Sequence, residues 1–363
     1  MTARADLEVD LLVVGAGPAG SAAALTAAGG GIATLVTERR SVVGEPVRCG
    51  EYVAAALRRE VPEGVLVPSQ QVEDLTLHLP SGETRRLSAP GAVIDRGSFD
   101  RAMVRAAVDA GAALRVDSPL LELRRGGVAV VGGSNGRTIV KARLVIGCDG
   151  PRSTVARASG LGRPRVMVGL QREVALARPV ESAHLYFWAT CRYGYGWLFP
   201  KGATANLGVA VQRGAVAQGR TALAELTARL RAEETIDEEE AGRDDGRGDV
   251  GRGGLVPCSG PLPRLAAGRV MLAGDAAGQT DALTGAGVVA AVRGGTLAGQ
   301  AAVEAFAAGS PARAGAAYEA RWRQTLGRAA ARSLERRFEL EARWARDVER
   351  AVTAAWLRSS GGI

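Results

Sequence analysis

The 363-residue sequence predicts an α/β fold with a β-rich second domain and a helical C-terminal tail. Three observations lead to this prediction. A run of apolar residues within 9–14 precedes a glycine-rich turn and an alanine-rich segment, residues 61–90 alternate apolar and polar side chains, and residues 318–358 have a helical composition. Hydrophobic residues make up 47% of the chain, which excludes a disordered protein because burying them offsets the entropy lost on ordering.

The remaining elements follow from the same periodicities. Residues 9–14 predict a strand buried on both faces, and residues 32–36 predict a second one. The other predicted elements are a helix at 21–28, a helix at 99–111 capped near Ser98, strands at 144–146 and 270–273, a strand-rich region at 165–212 and a helix at 285–306. Residues 231–254 contain nine acidic residues and predict a mobile loop.

The turn after the first strand has the pattern Gly15-x-Gly17-x-x-Gly20. In a strand–turn–helix unit the first glycine permits the tight turn, the second lets the backbone approach a pyrophosphate, and the third lets helix and strand pack closely. Glu38 ends the next predicted strand, where a carboxylate accepts hydrogen bonds from ribose hydroxyls and repels a 2′-phosphate. The unit therefore predicts a Rossmann-like domain that binds FAD or NAD rather than NADP.

Two further strand-to-turn segments end in aspartate and favour FAD over NAD. They are Asp149-Gly150 and Gly274-Asp275. A larger cofactor needs more anchors, and Asp275 can accept hydrogen bonds from ribityl hydroxyls. A helix starting near Gly285-Ala286-Gly287-Val288 would direct N–H groups at the N1/C2=O edge of a flavin, where the reduced form is anionic.

These segments together resemble the para-hydroxybenzoate hydroxylase superfamily of FAD proteins. Two stretches narrow the resemblance to the geranylgeranyl reductase family: Pro46-Val-Arg-Cys49-Gly50-Glu51, and Tyr195-Gly-Trp197-Leu-Phe-Pro-Lys201-Gly followed by Ala-Asn206-Leu-Gly208. The resemblance spans residues 8–300. The sequence departs from the family pattern at Ala282, where members usually carry proline.

The resemblance implies reduced FAD that delivers hydride from N5 to a carbon–carbon double bond of an apolar, isoprenoid-like substrate. It implies FAD contacts beyond the glycine turn, with Arg96 near the pyrophosphate through charge pairing. The contacts carried over are Ala19, Glu38, Arg39, Cys49, Gly50, Arg96, Asp275, Gly287 and Val288. The family motif also places the Cys49 thiol beside the isoalloxazine, where it could relay a proton or shape the pocket.

Aromatic residues add candidates for the substrate side of the site. Tyr193, Tyr195 and Trp197 lie in a strand-rich segment that would face the cofactor, and flat aromatic rings suit an isoprenoid or ring substrate. Cys49, Tyr193 and Trp197 are therefore the predicted catalytic residues. Ordinary sheet core is the competing interpretation for each aromatic residue.

The motifs divide the chain into three parts. Residues 1–60, 91–160 and 261–310 are expected to form the FAD-binding domain, residues 61–90 and 161–260 a substrate domain, and residues 311–363 a helical tail. No second GxGxxG pattern is visible, so an external reductant, NAD(P)H or an electron-transfer protein, is expected to reduce FAD. The rival functions are an FAD-dependent monooxygenase and a non-catalytic flavin-binding or electron-transfer protein; a halogenase is disfavoured because its second motif is not found.

Charge and composition limit the remaining partners. The net charge is +8 and only 4% of residues are aromatic, with no basic run interleaved with aromatics, which disfavours nucleic acid. Four separated cysteines without a CxxC pattern predict neither disulfides nor zinc, and His78 and His184 have no partner at ligand spacing. The charged N-terminus is unlike a signal peptide, so we expect a cytoplasmic protein, and the Arg-rich C-terminal helices allow peripheral contact with a membrane surface.

Overall fold

The computed structural model describes residues 5–134, 136–237 and 252–357. In chain order its strands are β1 (Leu7–Val14), β2 (Thr34–Thr37), β3 (Tyr52–Ala54), β4 (Pro68–His78), β5 (Thr84–Ile94), β6 (Ala113–Arg115), β7 (Leu120–Arg124), β8 (Val128–Val131), β9 (Thr138–Gly147), β10 (Val166–Ala175), β11 (Ala183–Tyr186), β12 (Tyr195–Lys201), β13 (Thr204–Gln212), β14 (Arg252–Pro257), β15 (Ala266–Ala267) and β16 (Val270–Leu272). Its helices are α1 (Pro18–Gly29), α2 (Arg96–Asp109), α3 (Thr154–Ala158), α4 (Val216–Ala232), α5 (Val288–Ala307), α6 (Ala314–Thr325), α7 (Gly327–Trp344) and α8 (Val348–Val352).

The first sheet has a parallel centre built from distant parts of the chain. Its strand order is β15-β16-β9-β1-β2-β6, and β7 and β8 extend from β9 as an antiparallel pair. Strand β1 runs parallel to both β2 and β9, and β16 runs parallel to β9. The strands that end at Val14, Thr37, Gly147 and Leu272 therefore finish at one edge of the sheet, which is where α/β proteins bind their ligands.

The second sheet has eight strands in the order β14-β10-β13-β12-β11-β4-β5-β3. Its pairs are antiparallel except β11 with β4. Strand β3 and residues 91–94 of β5 lie in this sheet, although the sequence boundaries assign both to the FAD-binding part. Strand β3 has only three residues, too few to show a period, and its backbone pairs with β5.

Helices α1 and α5 pack closely because glycines remove the side chains between them. A Cβ atom on Gly295 would lie 2.0 Å from the backbone oxygen of Ala19, and one on Gly299 would lie 2.7 Å from that of Ala23. The two helix axes can approach only where such side chains are missing. This packing brings both helix N-termini to the same edge of the first sheet.

Several element boundaries differ from those predicted. Helix α2 begins at Arg96 rather than 99, because the side chain of Asp95, not Ser98, caps it by accepting the Ser98 N–H at 2.6 Å. Helix α5 begins at Val288 rather than 285, since Gly285 has a left-handed φ of 71°. The predicted acidic loop starts inside α4 and ends inside β14; its residues 238–251 lie outside the described residues.

Helix α7 and residues 348–357 cover one face of the second sheet, whereas α6 packs against the first sheet through Tyr318 and Trp322. Trp344 and Trp356 are buried in a cluster with Leu77 and Leu185, while α4 packs on the opposite face. Within the described ranges, no helix is both long and apolar enough to cross a lipid bilayer. The structure thus confirms the predicted fold class: an α/β domain, a β-rich layer and a helical C-terminal region.

Candidate functional site

A cleft of about 780 Å³ lies at the edge of the first sheet where β1, β2 and β9 end. Most of the residues proposed above for cofactor binding meet there, although they come from separate segments. Those that line the cleft are Gly15, Gly17, Ala19, Glu38, Arg39, Cys49, Gly50, Arg96, Asp275, Gly287 and Val288. Gly20 lies behind the cleft wall.

The glycine turn has the geometry that its spacing predicts. Gly15 has a φ of 102°, and a Cβ there would lie 2.4 Å from the oxygen of Cys148. A Cβ on Gly20 would lie 1.8 Å from the oxygen of Gly15, so this glycine lets α1 start directly against the turn. Gly17 has no atom within 4 Å of its Cβ position and faces open space. That space leaves room for a phosphate at the N-terminus of α1.

Glu38 occupies the position expected for a ribose ligand. Its Oε2 accepts the Ala16 N–H at 2.9 Å, and its Oε1 accepts the Arg40 N–H at 3.0 Å. Each carboxylate oxygen keeps a second lone pair for a hydroxyl donor. Arg39 is exposed at the rim of the cleft beside Glu38.

Arg96 is more engaged within the protein than the sequence suggests. Its Nε and Nη2 donate to Oδ1 and Oδ2 of Asp100 at 3.0–3.3 Å, and its side chain is 14% exposed. Burial acts to lower the pKa of Arg96, but Asp100 and the Cys49 thiol outweigh it and raise the pKa. The guanidinium is therefore a fixed positive charge at the cleft wall, with Asp100 offsetting it.

The two aspartate turns serve different purposes. Asp149 also lines the cleft, but its carboxylate is engaged at the start of α3, whose N-cap is Ser153: it accepts from the Ser153 hydroxyl at 2.5 Å and from the Thr154 N–H at 2.6 Å. Asp275 lines the cleft and accepts only the Thr280 hydroxyl at 2.6 Å among its described hydrogen bonds. Burial raises the pKa of Asp275, while Thr280 and Arg96 oppose that shift. Asp275 therefore has lone pairs directed at a buried part of the cleft.

The turn containing Cys49 and Gly50 is fastened to the second sheet. Gln171 donates to the Cys49 carbonyl at 2.8 Å, and Asn206 donates to the Gly50 carbonyl at 3.1 Å. The next residue, Glu51, is only 3% exposed and forms an ion pair with Lys201 at 2.7 Å. These two hydrogen bonds and this ion pair hold Cys49 and Gly50 at the wall of the cleft.

Glu51, Lys201 and Asn206 are largely buried partners in this contact, and all three stand inside the two motifs that resemble the geranylgeranyl reductase family. The sequence carries a signal of this contact: Lys201 is one of two lysines in an arginine-rich chain and lies in an otherwise apolar strand. Burial acts to lower the pKa of Lys201, but Glu51 outweighs it and raises the pKa. The ammonium therefore stays charged beside Glu51.

The predicted catalytic aromatics lie outside the cleft lining. Trp197 is one layer behind it, with its indole nitrogen 3.5 Å from the Cβ position of Gly50. Tyr193 is farther away, with a φ of 61° and its ring packed edge-on against Trp344 of α7. The structure does not bring Tyr193 to the cleft, because its turn points the ring at the C-terminal helices. Tyr195 instead approaches the cleft wall, donating its hydroxyl to the Thr284 carbonyl.

The two histidines form a separate pair. His78 Nε2 and His184 Nδ1 lie 2.9 Å apart on neighbouring strands of the second sheet. Burial lowers the pKa of both imidazoles, and that of His78 falls to about 4. In the part of the chain that the structure describes, no group of three His, Cys, Asp or Glu side chains could hold a metal ion.

The residues present fit FAD. Two helix N-termini, from α1 and α5, converge on one cleft, Glu38 stands where a ribose is recognised, and Asp275 offers an acceptor between them. The open space above Gly17 gives the backbone amides access to a pyrophosphate. This fold and this cleft define an FAD-binding protein of the Rossmann-like class.

Comparisons with known proteins agree. The family described as FAD binding domain matches residues 89–321. A digeranylgeranylglycerophospholipid reductase from Methanothrix thermoacetophila is 33% identical over 351 residues, covering 91% of this chain and 86% of that protein. Digeranylgeranylglycerophospholipid reductase 1 from Methanopyrus kandleri is 36% identical over 317 residues, covering 83% and 82%.

Solved structures give the same result. A geranylgeranyl bacteriochlorophyll reductase-like protein from Thermoplasma acidophilum superposes with a TM-score of 0.81 at 25% identity over 97% of both chains. The flavin-dependent halogenase CmlS superposes with a TM-score of 0.72 at 18% identity, over 98% of this chain and 71% of that one, and shows the fold alone. The chain belongs to the geranylgeranyl reductase family of FAD-dependent oxidoreductases, and FAD is its cofactor.

Proposed function

We propose that the protein reduces carbon–carbon double bonds in the isoprenoid chain of an apolar lipid. The observation that carries this proposal is a group of apolar side chains among the residues that line the cleft. The side chains are those of Val168, Val216, Leu255 and Val256, and residues 253–254 of β14 also line the cleft. The relatives above are named as reductases of digeranylgeranylglycerophospholipids, whose chains such a wall would accept.

The site residues have separable roles in this reaction. When bound and reduced, FAD supplies a hydride from N5 to one carbon of the double bond. The other carbon gains a proton, from the Cys49 thiol at the cleft wall or from solvent. Trp197 supports Gly50 from behind, so we assign it to shaping the pocket rather than to contact with the reacting atoms.

The proposal is tested with purified protein loaded with FAD. The flavin is photoreduced without oxygen, and geranylgeranyl lipids, quinones and aromatic compounds are added separately. We expect the flavin absorbance to return only with the geranylgeranyl lipids, each reduced bond adding two hydrogen atoms to the product by mass spectrometry. Absence of reoxidation by these lipids would contradict the proposal. Oxygen consumption coupled to product, when the assay is repeated in air, would also contradict it. A Cys49→Ser variant with unchanged turnover would remove the thiol from the proton transfer.

We also propose separate roles for the two sheets and the C-terminal helices. The first sheet with α1, α2 and α5 holds FAD and α6 packs against it, the second sheet provides the substrate wall, and α7 with residues 348–357 covers that wall. This modifies the boundaries predicted above at β3 and at residues 91–94, which support the substrate wall, and at α6, which packs with the FAD-binding part.

We further propose an external reductant and contact with a membrane surface. NAD(P)H or an electron-transfer protein would reduce the flavin, which anaerobic mixing with each donor tests directly. Helix α7 supports the surface contact, since Phe338 is 54% exposed on a helix that carries the exposed Arg328 and Arg332. Co-sedimentation with anionic vesicles tests this contact. Equal recovery in the supernatant with and without vesicles would count against it.

A further inference from the structure

The Cys49–Gly50 turn is held by one buried carboxylate. We propose that Glu51, clamped by Lys201 and Asn206, is a positioning residue that fixes this turn against the cleft. The inference rests on the proposed reduction, because the Cys49–Gly50 turn lies beside the reacting atoms only if that reaction takes place in this cleft. Glu51 itself lies outside the cleft lining and would act only through its neighbours.

Three donors converge on the Glu51 carboxylate. Oε2 accepts from Lys201 Nζ at 2.7 Å and from Asn206 Nδ2 at 2.6 Å, and Oε1 accepts the backbone N–H of Arg96 at 2.8 Å. These donors come from β12, β13 and the start of α2. One side chain thus joins two neighbouring strands of the second sheet, β12 and β13, to the helix that follows β5.

The same contacts hold the residues before Glu51. Asn206 divides its amide between Glu51 and the Gly50 carbonyl, and the Glu51 N–H points at the Cys49 sulfur at 3.2 Å. Gln171 on β10 holds the Cys49 carbonyl. Cys49 and Gly50, the two residues of the turn that line the cleft, therefore have their backbone oxygens fixed by the second sheet.

The backbone shows that this arrangement is imposed from outside the turn. Glu51 has a φ of 70°, a conformation that a glutamate adopts only when its surroundings determine it. A buried carboxylate is also unfavourable unless it is paired and hydrogen-bonded. Removing Lys201 leaves that charge uncompensated, so the turn is expected to open toward water.

The test compares three lysine variants of the FAD-loaded protein. Lys201→Met removes the ammonium and keeps the chain length, and Lys201→Arg keeps the charge. Lys141→Met is the matched control, because Lys141 is the other lysine and its ion pair with Glu8 is exposed. Iodoacetamide labelling of Cys49 is followed by mass spectrometry, with the buried Cys191 and Cys258 as internal references.

We expect Lys201→Met to raise the labelling rate of Cys49 by about fivefold or more, as a locally opened turn would. The kcat of lipid-dependent flavin reoxidation should fall by about tenfold or more with little change in KM, because a displaced wall misplaces the reacting groups. Lys201→Arg should recover most of both values, and Lys141→Met should match the parent protein.

Labelling and kcat equal to those of Lys141→Met would overturn the proposal, even if Lys201→Met lowered the melting temperature, because that pattern describes a core ion pair alone. Should Lys201→Met not fold, Glu51→Gln, which keeps the side-chain volume, takes its place with the same expectations. Absence of lipid-dependent reoxidation in the parent protein would refute the proposed function, and the labelling of Cys49 then decides the role of Glu51 on its own.

Discussion

Replacing Gly295 by alanine tests whether the spacing of α1 and α5 sets the cofactor cleft. The new Cβ would lie 2.0 Å from the backbone oxygen of Ala19, whereas ordinary contacts begin at 3.4 Å. Because the obstacle is the backbone of α1 and not a flexible side chain, the contact becomes ordinary only if this Cβ and the Ala19 oxygen move apart by about 1.4 Å. Overpacking of this kind costs about 1–3 kcal/mol. If the whole cost falls on the bound state, the Kd for FAD rises about 5- to 150-fold.

The assay is titration of the apoprotein with FAD, followed by flavin fluorescence, alongside thermal unfolding with and without FAD. Gly29→Ala is the matched control on α1, because its Cβ position has no atom within 4 Å and its φ is not left-handed. We expect this control to be neutral or stabilised by about 0.5–1 kcal/mol. If Gly295→Ala bound FAD as tightly as Gly29→Ala, the helix spacing would not determine the cleft.

Three further changes have defined expectations. Gly208→Ala would place a Cβ 2.2 Å from the Trp197 ring, so it should destabilise the fold by about 1–3 kcal/mol and shift the tryptophan fluorescence; an unchanged emission spectrum would contradict this. Tyr318→Phe removes a buried hydroxyl with two hydrogen bonds, which should lower the free energy of unfolding in urea by about 1–3 kcal/mol while the flavin spectrum stays the same. Burial and His184 lower the pKa of His78 from 6.5 to about 4, so the unfolded state binds more protons between these values. Stability should therefore fall as the pH drops from 6.5 to 4, by about 1–2 kcal/mol after allowance for partial exposure, and His78→Gln should flatten that slope in thermal melts.

The cofactor half of the site could be predicted because its signals are local. The glycine turn and Glu38 lie within one strand–helix–strand unit, and parallel strands necessarily bring Asp275 to the same sheet edge. Fold class, family and FAD were therefore predictable and are confirmed. The individual site residues stay predictions, which the cleft geometry supports for most of them.

The support of the Cys49 turn could not be predicted, because it depends on the register of the second sheet. Glu51 and Lys201 are separated by 150 positions, and no sequence period reports such a pair. Tyr193 shows the same limit: an aromatic residue in the strand-rich segment was expected near the cofactor, and the left-handed backbone at that position turns its ring toward Trp344. Single backbone angles of this kind are set by the tertiary structure.

The order of the strands in the first sheet has a consequence for synthesis of the protein. Its central neighbours, β1, β9 and β16, are separated by more than a hundred residues each, and the helix that completes the cleft starts only at Val288. A ribosome must therefore release most of the chain before the flavin can be captured. Strand β1 can pair early with β2 but lacks its other neighbour until β9 is made, and truncated products would emerge without the means to retain the coenzyme.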